Sequence, residues 1–179
     1  MKKILFILAA LVITNLAVCQ PGTNKAAVGG ALIYGSEIRS LGFNILGSFS
    51  IKDNIRVAPD LSYFIPHHND YLGWREVTDM FEINLNGHYL FPVVENQIDL
   101  YPLVGFNLAF LTFRGEPKNP DLIGNPKYDY RKNEVDPGLN IGVGGDYLIN
   151  DKLNFLLELR YAVSNYSQFA AKAGVAYLF

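Results

Sequence analysis

The amino-acid sequence predicts an all-β protein in which eight antiparallel strands run up and down and close into one barrel. Three observations carry that prediction. Eight segments of about ten residues alternate apolar and polar side chains with period two. The connections between them alternate short and long. Beyond the first twenty residues, no stretch reaches the roughly eighteen consecutive apolar residues that a membrane helix takes.

The chain has 179 residues, 50% apolar and 18% charged, which suits one folded domain and argues against disorder. Twelve Phe and eleven Tyr stand against one Trp, with 16 Gly, a balance that leans towards strands with close packing. Residues 1–19 read separately. Lys2 and Lys3 make a positive start, residues 4–16 are mostly apolar, and Ala17-Val18-Cys19 offers small residues ahead of a cut before Gln20. This is the layout of a secretory signal peptide. Two other readings of the same residues are an uncleaved anchor and a lipoprotein with a lipidated Cys19. Cleavage leaves residues 20–179 as the barrel domain, with 13 basic against 17 acidic residues. That mild negative balance gives nucleic acid no reason to bind. Cys19 is the only cysteine, so the mature chain is expected to have no disulfide framework and no cysteine metal site. No Gly-rich phosphate loop, metal-spaced cluster or nucleophile elbow is found, and no cofactor is expected.

The segments follow in order. Residues 26–35 put Val28, Leu32 and Tyr34 on one face. Residues 41–51 put Leu41, Phe43, Ile45, Phe49 and Ile51 there, and residues 55–65 put Ile55, Val57, Leu61, Tyr63 and Ile65. Residues 80–91 give Phe81, Ile83, Leu85, Tyr89 and Phe91; residues 98–112 give Ile98, Leu100, Val104, Phe106, Leu108 and Phe110. Residues 139–149, 153–164 and 168–179 continue the pattern through Ile141, Val143, Tyr147, Leu157, Leu159, Tyr161, Phe169, Val175, Tyr177 and Phe179. The alternate face carries Arg56, Asp60, Glu82, Asp99, Asp146, Glu158, Arg160 and Lys172, with Asn44, Asn84, Asn86, His88, Asn107, Asn140 and Asn154. Counting back from the turn at Asn150 sets Glu158 opposite Gly144 and Arg160 opposite Gly142. Pro59 and Pro102 each remove a ladder donor, so a bulge is expected beside each.

Residues 52–54, 150–152 and 92–97 read as short turns, with Asn54 suited to a left-handed position. At the other end lie residues 36–40 and 165–167, and two long polar loops, 66–79 and 113–136.

Period two does not say which face meets lipid. Aromatic residues do. Phe49, Tyr89, Phe91, Tyr147, Phe155, Tyr177 and Phe179 gather at the turn end; Tyr34, Phe43, Tyr63, Phe81, Phe110, Tyr161 and Phe169 gather at the loop end. Two such girdles are what membrane interfaces select. Eight strands leave an interior only wide enough for side chains to fill, and the aromatic set would crowd it. A transmembrane barrel in lipid, with its polar face inward, is therefore the expectation; a soluble exported barrel is the alternative.

The last strand, with Val175, Tyr177 and the terminal Phe179 on one face, resembles the closing strand of bacterial outer-membrane barrels. With the leader and eight strands, the whole mature chain resembles the small OmpA/OmpX-type barrels. The resemblance implies an outer-membrane location in a Gram-negative cell, contact with outer-membrane lipids and lipopolysaccharide, and recognition of Val175, Tyr177 and Phe179 by the barrel-assembly machinery. It further implies short turns on the periplasmic side and longer loops outside.

The inward charges are the first candidate for chemistry. Glu158 and Arg160 are two apart on one face and are expected to pair, with Lys172 beside them and Asp60, Glu82 and Arg56 as further members. A structural salt-bridge plug, a gated ion path and an enzyme site are the alternatives, the first being favoured because unpaired buried charges are costly. His67 and His68 are rim candidates. Being adjacent, they point to opposite sides of an extended chain and make no ready metal pair; pairing of Ser62 with His67, or Ser164 with His68, would suit a rim enzyme acting on lipid A. The loops 66–79 and 113–136, with Asp70, Arg114, Glu116, Lys127, Arg131 and Lys132, are candidates for contact with a surface ligand or lipopolysaccharide phosphates; a mobile solvated loop is the favoured alternative for 113–136. The expected role is non-enzymatic, structural or surface-contacting.

Overall fold

The computed structural model describes residues 26–71, 74–95, 97–117 and 130–179. Residues 1–25, which include Cys19 and the expected signal peptide, and residues 118–129 of the second long connection, with Lys127, lie outside the described residues, as do the side chains of Asp70 and Glu116. The strands are β1 (Ala26–Gly35), β2 (Ser40–Lys52), β3 (Ile55–Tyr71), β4 (Trp74–Tyr89), β5 (Phe91–Val94), β6 (Ile98–Pro117), β7 (Tyr130–Asn150), β8 (Leu153–Val163) and β9 (Gln168–Leu178). Each pairs antiparallel with its neighbours, β1 pairs with β9, and β4 pairs with β6, so the sheet closes on itself.

Nine segments make eight barrel strands because β4 and β5 are one strand interrupted at Leu90. The register against β6 is the same on both sides: His88 lies opposite Leu103 and Phe91 opposite Leu100. The missing rungs fall at Pro102, which has no N–H to give. Pro59 behaves alike. Leu46 still pairs with Asp60 and Phe49 with Val57, while the rungs between, at Gly47–Pro59 and Ser48–Ala58, are lost. The expected bulges beside Pro59 and Pro102 are therefore not found; each proline costs rungs rather than register. Bulges occur instead at residues 65–66 and 93, next to Pro66 and Pro92, and near the turns at Ser50–Lys52 and Leu148–Asn150.

The turns differ from expectation in detail. Asn54 is not left-handed; among the described non-glycine residues only Arg39 has a positive φ, 52°. The bulge at Ser50–Lys52 supplies the twist that the hairpin needs. Residues 92–94 of the expected turn 92–97 are strand, because β5 continues to Val94, and the turn tightens to a Gln97 N–H donating to Val94 O at 3.0 Å. At Asn150 the side-chain oxygen accepts from Lys152 N–H at 3.0 Å, which fixes the turn locally.

The largest departure is at the other end. Within the expected loops 66–79 and 113–136 the described residues are strand: β3 pairs with β4 up to Tyr71 and Trp74, and β6 with β7 up to Gly115 and Tyr130. Extended backbone must place its N–H and C=O groups, and a continued ladder does so without new side chains. These four strands are neighbours, so they rise as one wall above the level where β1 turns into β2 and β8 into β9.

The two faces divide as the alternation requires. Phe106, Val104 and Ile45 are 68%, 66% and 65% exposed, while Asn140 and Ser62 are fully buried. A water-soluble barrel would reverse this distribution. The exposed apolar belt is stable only in a solvent as apolar as itself, and the closed ladder satisfies the backbone there.

Candidate functional site: the sealed lumen

Alternate residues of each strand point into the barrel, and the polar ones meet in a belt at mid-height. Asp60 on β3 is its hub. Its carboxylate accepts from Asn44 Nδ2 at 2.8 Å, Asn84 Nδ2 at 2.9 Å, Arg160 Nη1 at 3.1 Å and Lys172 Nζ at 3.3 Å. Glu82 accepts from Arg160 Nη2 and from Gln168 Nε2, both at 2.6 Å. Glu158 faces Lys172 at 2.9 Å. Asn107 and Asn140 donate to Asn84 Oδ1 at 2.8 and 2.9 Å, and Asn140 also donates to Asn86 Oδ1. Members come from β2, β3, β4, β6, β7, β8 and β9, so the network ties opposite walls together.

Glu158 and Arg160 do lie opposite Gly144 and Gly142, as counted from the turn. They do not form the expected pair. Two residues apart on one strand, they run side by side, and each finds its partner elsewhere: Arg160 in Asp60 and Glu82 from the far wall, Glu158 in Lys172 next door. Arg56 is not part of this belt. It pairs with Asp146 near the short-turn end, beneath a separate stack. Asp99 sits at that end too, opposite Asp146 in the β6–β7 ladder.

The stack is His88 on Tyr101, with ring centroids 4.4 Å apart and planes 7° from parallel, and Arg56 lies 4.8 Å from the Tyr101 centroid. Arg56 Nε and Nη2 approach His88 Nδ1 at 3.3 and 3.0 Å. Arginine only donates, so Nδ1 accepts and the ring proton sits on Nε2. His88 and Asn154 line a cavity of about 30 Å³ with Glu158 and Ser48. Neither His88 Nε2 nor Asn154 Oδ1 has a protein partner. One water fits such a space and could accept from the first and donate to the second. Gly144 makes the stack possible: a Cβ there would lie 2.5 Å from the Tyr101 ring. Gly144→Val is therefore expected to displace the ring and destabilise the barrel by about 1–3 kcal/mol, as overpacking does. Urea unfolding in detergent micelles measures it, and an unchanged midpoint would contradict this packing.

An apolar plug caps the belt at the tall end. Ile33, Ile38, Phe64, Met80, Ala109, Leu111 and Ala170 pack together, with Phe113 and Tyr166 against them. A smaller cluster of Ala27, Leu46, Leu156 and Ala176 lies towards the short turns. The sequence reading missed both because it took the inward face as polar. The signal was there: Ile33, Phe64, Met80 and Leu111 stand on the polar phase of their strands.

The bulge at Ile65–Pro66 sets the orientation of the rim histidines. His67 turns inward opposite Thr78, and His68 is exposed opposite Val77. His67 Nε2 meets Asn69 Oδ1 at 3.2 Å. Ser62 is not its partner, since that hydroxyl is buried in the belt, accepting from Asn44 at 2.9 Å. Ser164 is held in the β8–β9 turn, where Ser167 Oγ accepts from its N–H and donates to its carbonyl. Higher on the wall, Glu134 takes bonds from Lys132 and the Tyr166 hydroxyl. The Lys132 hydrogen bond, followed by that of Tyr166, lowers the Glu134 carboxyl below its ordinary range. Among the described residues, no group of three or more His, Cys, Asp and Glu is placed to hold a metal.

Comparison with known proteins gives the same architecture. Residues 7–179 match the family model described as outer membrane protein beta-barrel domain. No curated protein sequence matches the chain. Among solved structures, the chain is similar to a major outer membrane protein from Thermus thermophilus, at 12% identity and a TM-score of 0.67, over 88% of this chain and 100% of that one. It is similar to OprG from Pseudomonas aeruginosa at 12% identity and a TM-score of 0.61, over 88% and 96%. The N-terminal β-barrel domain of Pseudomonas aeruginosa OprF aligns at 16% identity and a TM-score of 0.60, over 88% and 99%.

Proposed function

This chain belongs to the outer membrane protein beta-barrel domain family, and from that premise we propose that it is a non-enzymatic, non-conducting barrel. Its rigid wall would stabilise the outer membrane, and its tall end would present a surface for contact outside the cell. The observation that carries this reading is the double seal of the lumen. A belt of bonded charges crosses the barrel at mid-height, and an apolar plug with Phe64 and Ile33 at its centre closes it above. An ion entering would have to break Arg160 from Asp60 and Glu82 and then wet the plug, and both steps are costly.

Planar-bilayer recording of the reconstituted chain tests the proposal. No steps above background are expected. Reproducible conductance, altered in selectivity by Arg160→Gln, would establish a pore and overturn it.

The contact surface would be the four-strand wall. Arg131 is exposed on β7 and Arg114 pairs with Asp79 on the wall, and these cationic groups would meet lipopolysaccharide phosphates there. For assembly, Val175 and Tyr177 face outward on β9, and Phe179 packs edge-on against Tyr177 with centroids 5.2 Å apart. The three form one apolar edge at the end of the last strand, which the barrel-assembly machinery would read. Residues 1–19 would direct export and be removed, leaving residues 20–179 as the mature domain.

A further inference from the structure

Above the apolar plug the wall leaves a crevice of about 210 Å³ that the sealed lumen does not use. Its base is apolar: Ile38, Met80 and Leu111, with Phe113 and Tyr166 as tilted rings 5.7 Å apart. Its sides are polar, and two of them are carboxylates from separate elements, Glu37 in the β1–β2 turn and Glu76 on β4. His67, Asn69 and Thr78 complete the rim. The neighbouring acids of the wall are already matched, Asp79 with Arg114 and Glu134 with Lys132. The carboxylates of Glu37 and Glu76 have no ion pair or hydrogen bond among the described residues.

A concave site with an apolar, aromatic base and a few convergent polar groups is the form that small-molecule sites take. The sign of the free charge then selects the ligand. An anion would meet two carboxylates and a neutral apolar molecule would gain nothing from them. We propose that this crevice binds a small organic monocation: an ammonium group on a short arm, attached to a flat apolar body. The body would rest on Met80, Phe113 and Tyr166, where an aromatic ring gains from stacking. The ammonium would sit between Glu37 and Glu76. By scaling from a cavity of about 150 Å³ that takes benzene, the crevice holds roughly eight to ten non-hydrogen atoms. Phenethylamine has that size and form. This goes beyond a surface-contact role, and it does not depend on whether the barrel conducts.

The test is titration of the refolded full chain in micelles with phenethylamine, 2-phenylethanol and 3-phenylpropanoate, followed by amide chemical shifts. The amine is expected to shift Glu37, Glu76, Thr78 and Phe113 in a saturable way, to bind about tenfold more tightly than the alcohol, and to leave the carboxylate without a saturable shift. The combined change Glu37→Gln and Glu76→Gln is expected to weaken amine binding about three- to tenfold, the size of two exposed ion pairs, and to leave alcohol binding unchanged. Thr78→Trp, which fills the crevice from its rim and leaves every plug residue unsubstituted, is expected to abolish both. Equal binding of amine and alcohol, or amine binding that survives Thr78→Trp in a folded barrel, would overturn the proposal. Refolding of each variant is read from its strand circular dichroism and heat-modifiable mobility, so that lost binding is not confused with a lost fold.

Discussion

Arg160→Met is expected to destabilise the barrel by about 3–5 kcal/mol, the largest effect of any single lumen change. Arg160 is 2% exposed and bridges Asp60 and Glu82, which are 4% and 1% exposed. Removing the guanidinium leaves Glu82 with only Gln168 and leaves Asp60 with Lys172 and neutral amides. Two carboxylates then share a dry space with one cation fewer, and the penalty is that of uncompensated buried charge rather than of the lost bonds. A control separates those two terms. Asp60→Asn, Glu82→Gln and Arg160→Gln together remove every charge of the triad and keep hydrogen-bonding groups in place. That triple variant is expected to recover most of the loss, since a buried ion pair is often worth little against a neutral replacement. Urea titration of tryptophan fluorescence and gel mobility in micelles measures both. A single variant as stable as the wild type would show that water reaches the belt and that the lumen is not sealed.

The alternation of side chains made the two faces legible, and with them the inward set Asp60, Glu82, Glu158, Arg160 and Lys172. Period two is a property of each strand alone, so it survives without knowledge of neighbours. Partnership across the lumen does not. Asp60 and Arg160 are 100 residues apart and meet only because β3 and β8 face each other across a closed ring. Nothing local to Arg160 distinguishes Asp60 from Glu158 as its partner. The tall wall was illegible for a different reason. Above the aromatic girdles both faces are wet, so the strands lose the lipid-driven alternation, and the bulge at Ile65–Pro66 shifts the phase of what remains. The plug was legible residue by residue, through Ile33, Phe64 and Met80. It was hidden by the assumption that one face must be uniformly polar. A narrow barrel fills its interior with whatever packs, and apolar layers above and below a charge belt keep water from it.

Leu157→Arg is expected to prevent stable insertion while Val163→Arg is tolerated, and the contrast tests which face meets lipid. Leu157 is 54% exposed, lies opposite Gly145 and Ala173, and stands near the middle of β8. Its inward neighbours Leu156 and Glu158 are buried, at 5% and 3%. An arginine at Leu157 would find no partner on the wall and would sit in hydrocarbon, at a cost of about 2–4 kcal/mol near the midplane. Val163 is the last residue of β8 and points the same way, but at the height of the tall-end turn. There the guanidinium reaches the headgroups, and the cost falls to about 0–1 kcal/mol. Refolding into lipid vesicles, scored by heat-modifiable mobility and protease protection, gives both numbers in one assay. If both variants insert equally well, depth does not matter to that face, and the apolar belt is not in lipid. If instead an arginine at Leu157 is accepted and one at Leu156 is the more damaging only through overpacking, the barrel is water-soluble and its exposed rings need another partner. The expected order, Leu157 severe and Val163 mild, follows only when oil surrounds the strand and thins towards its end.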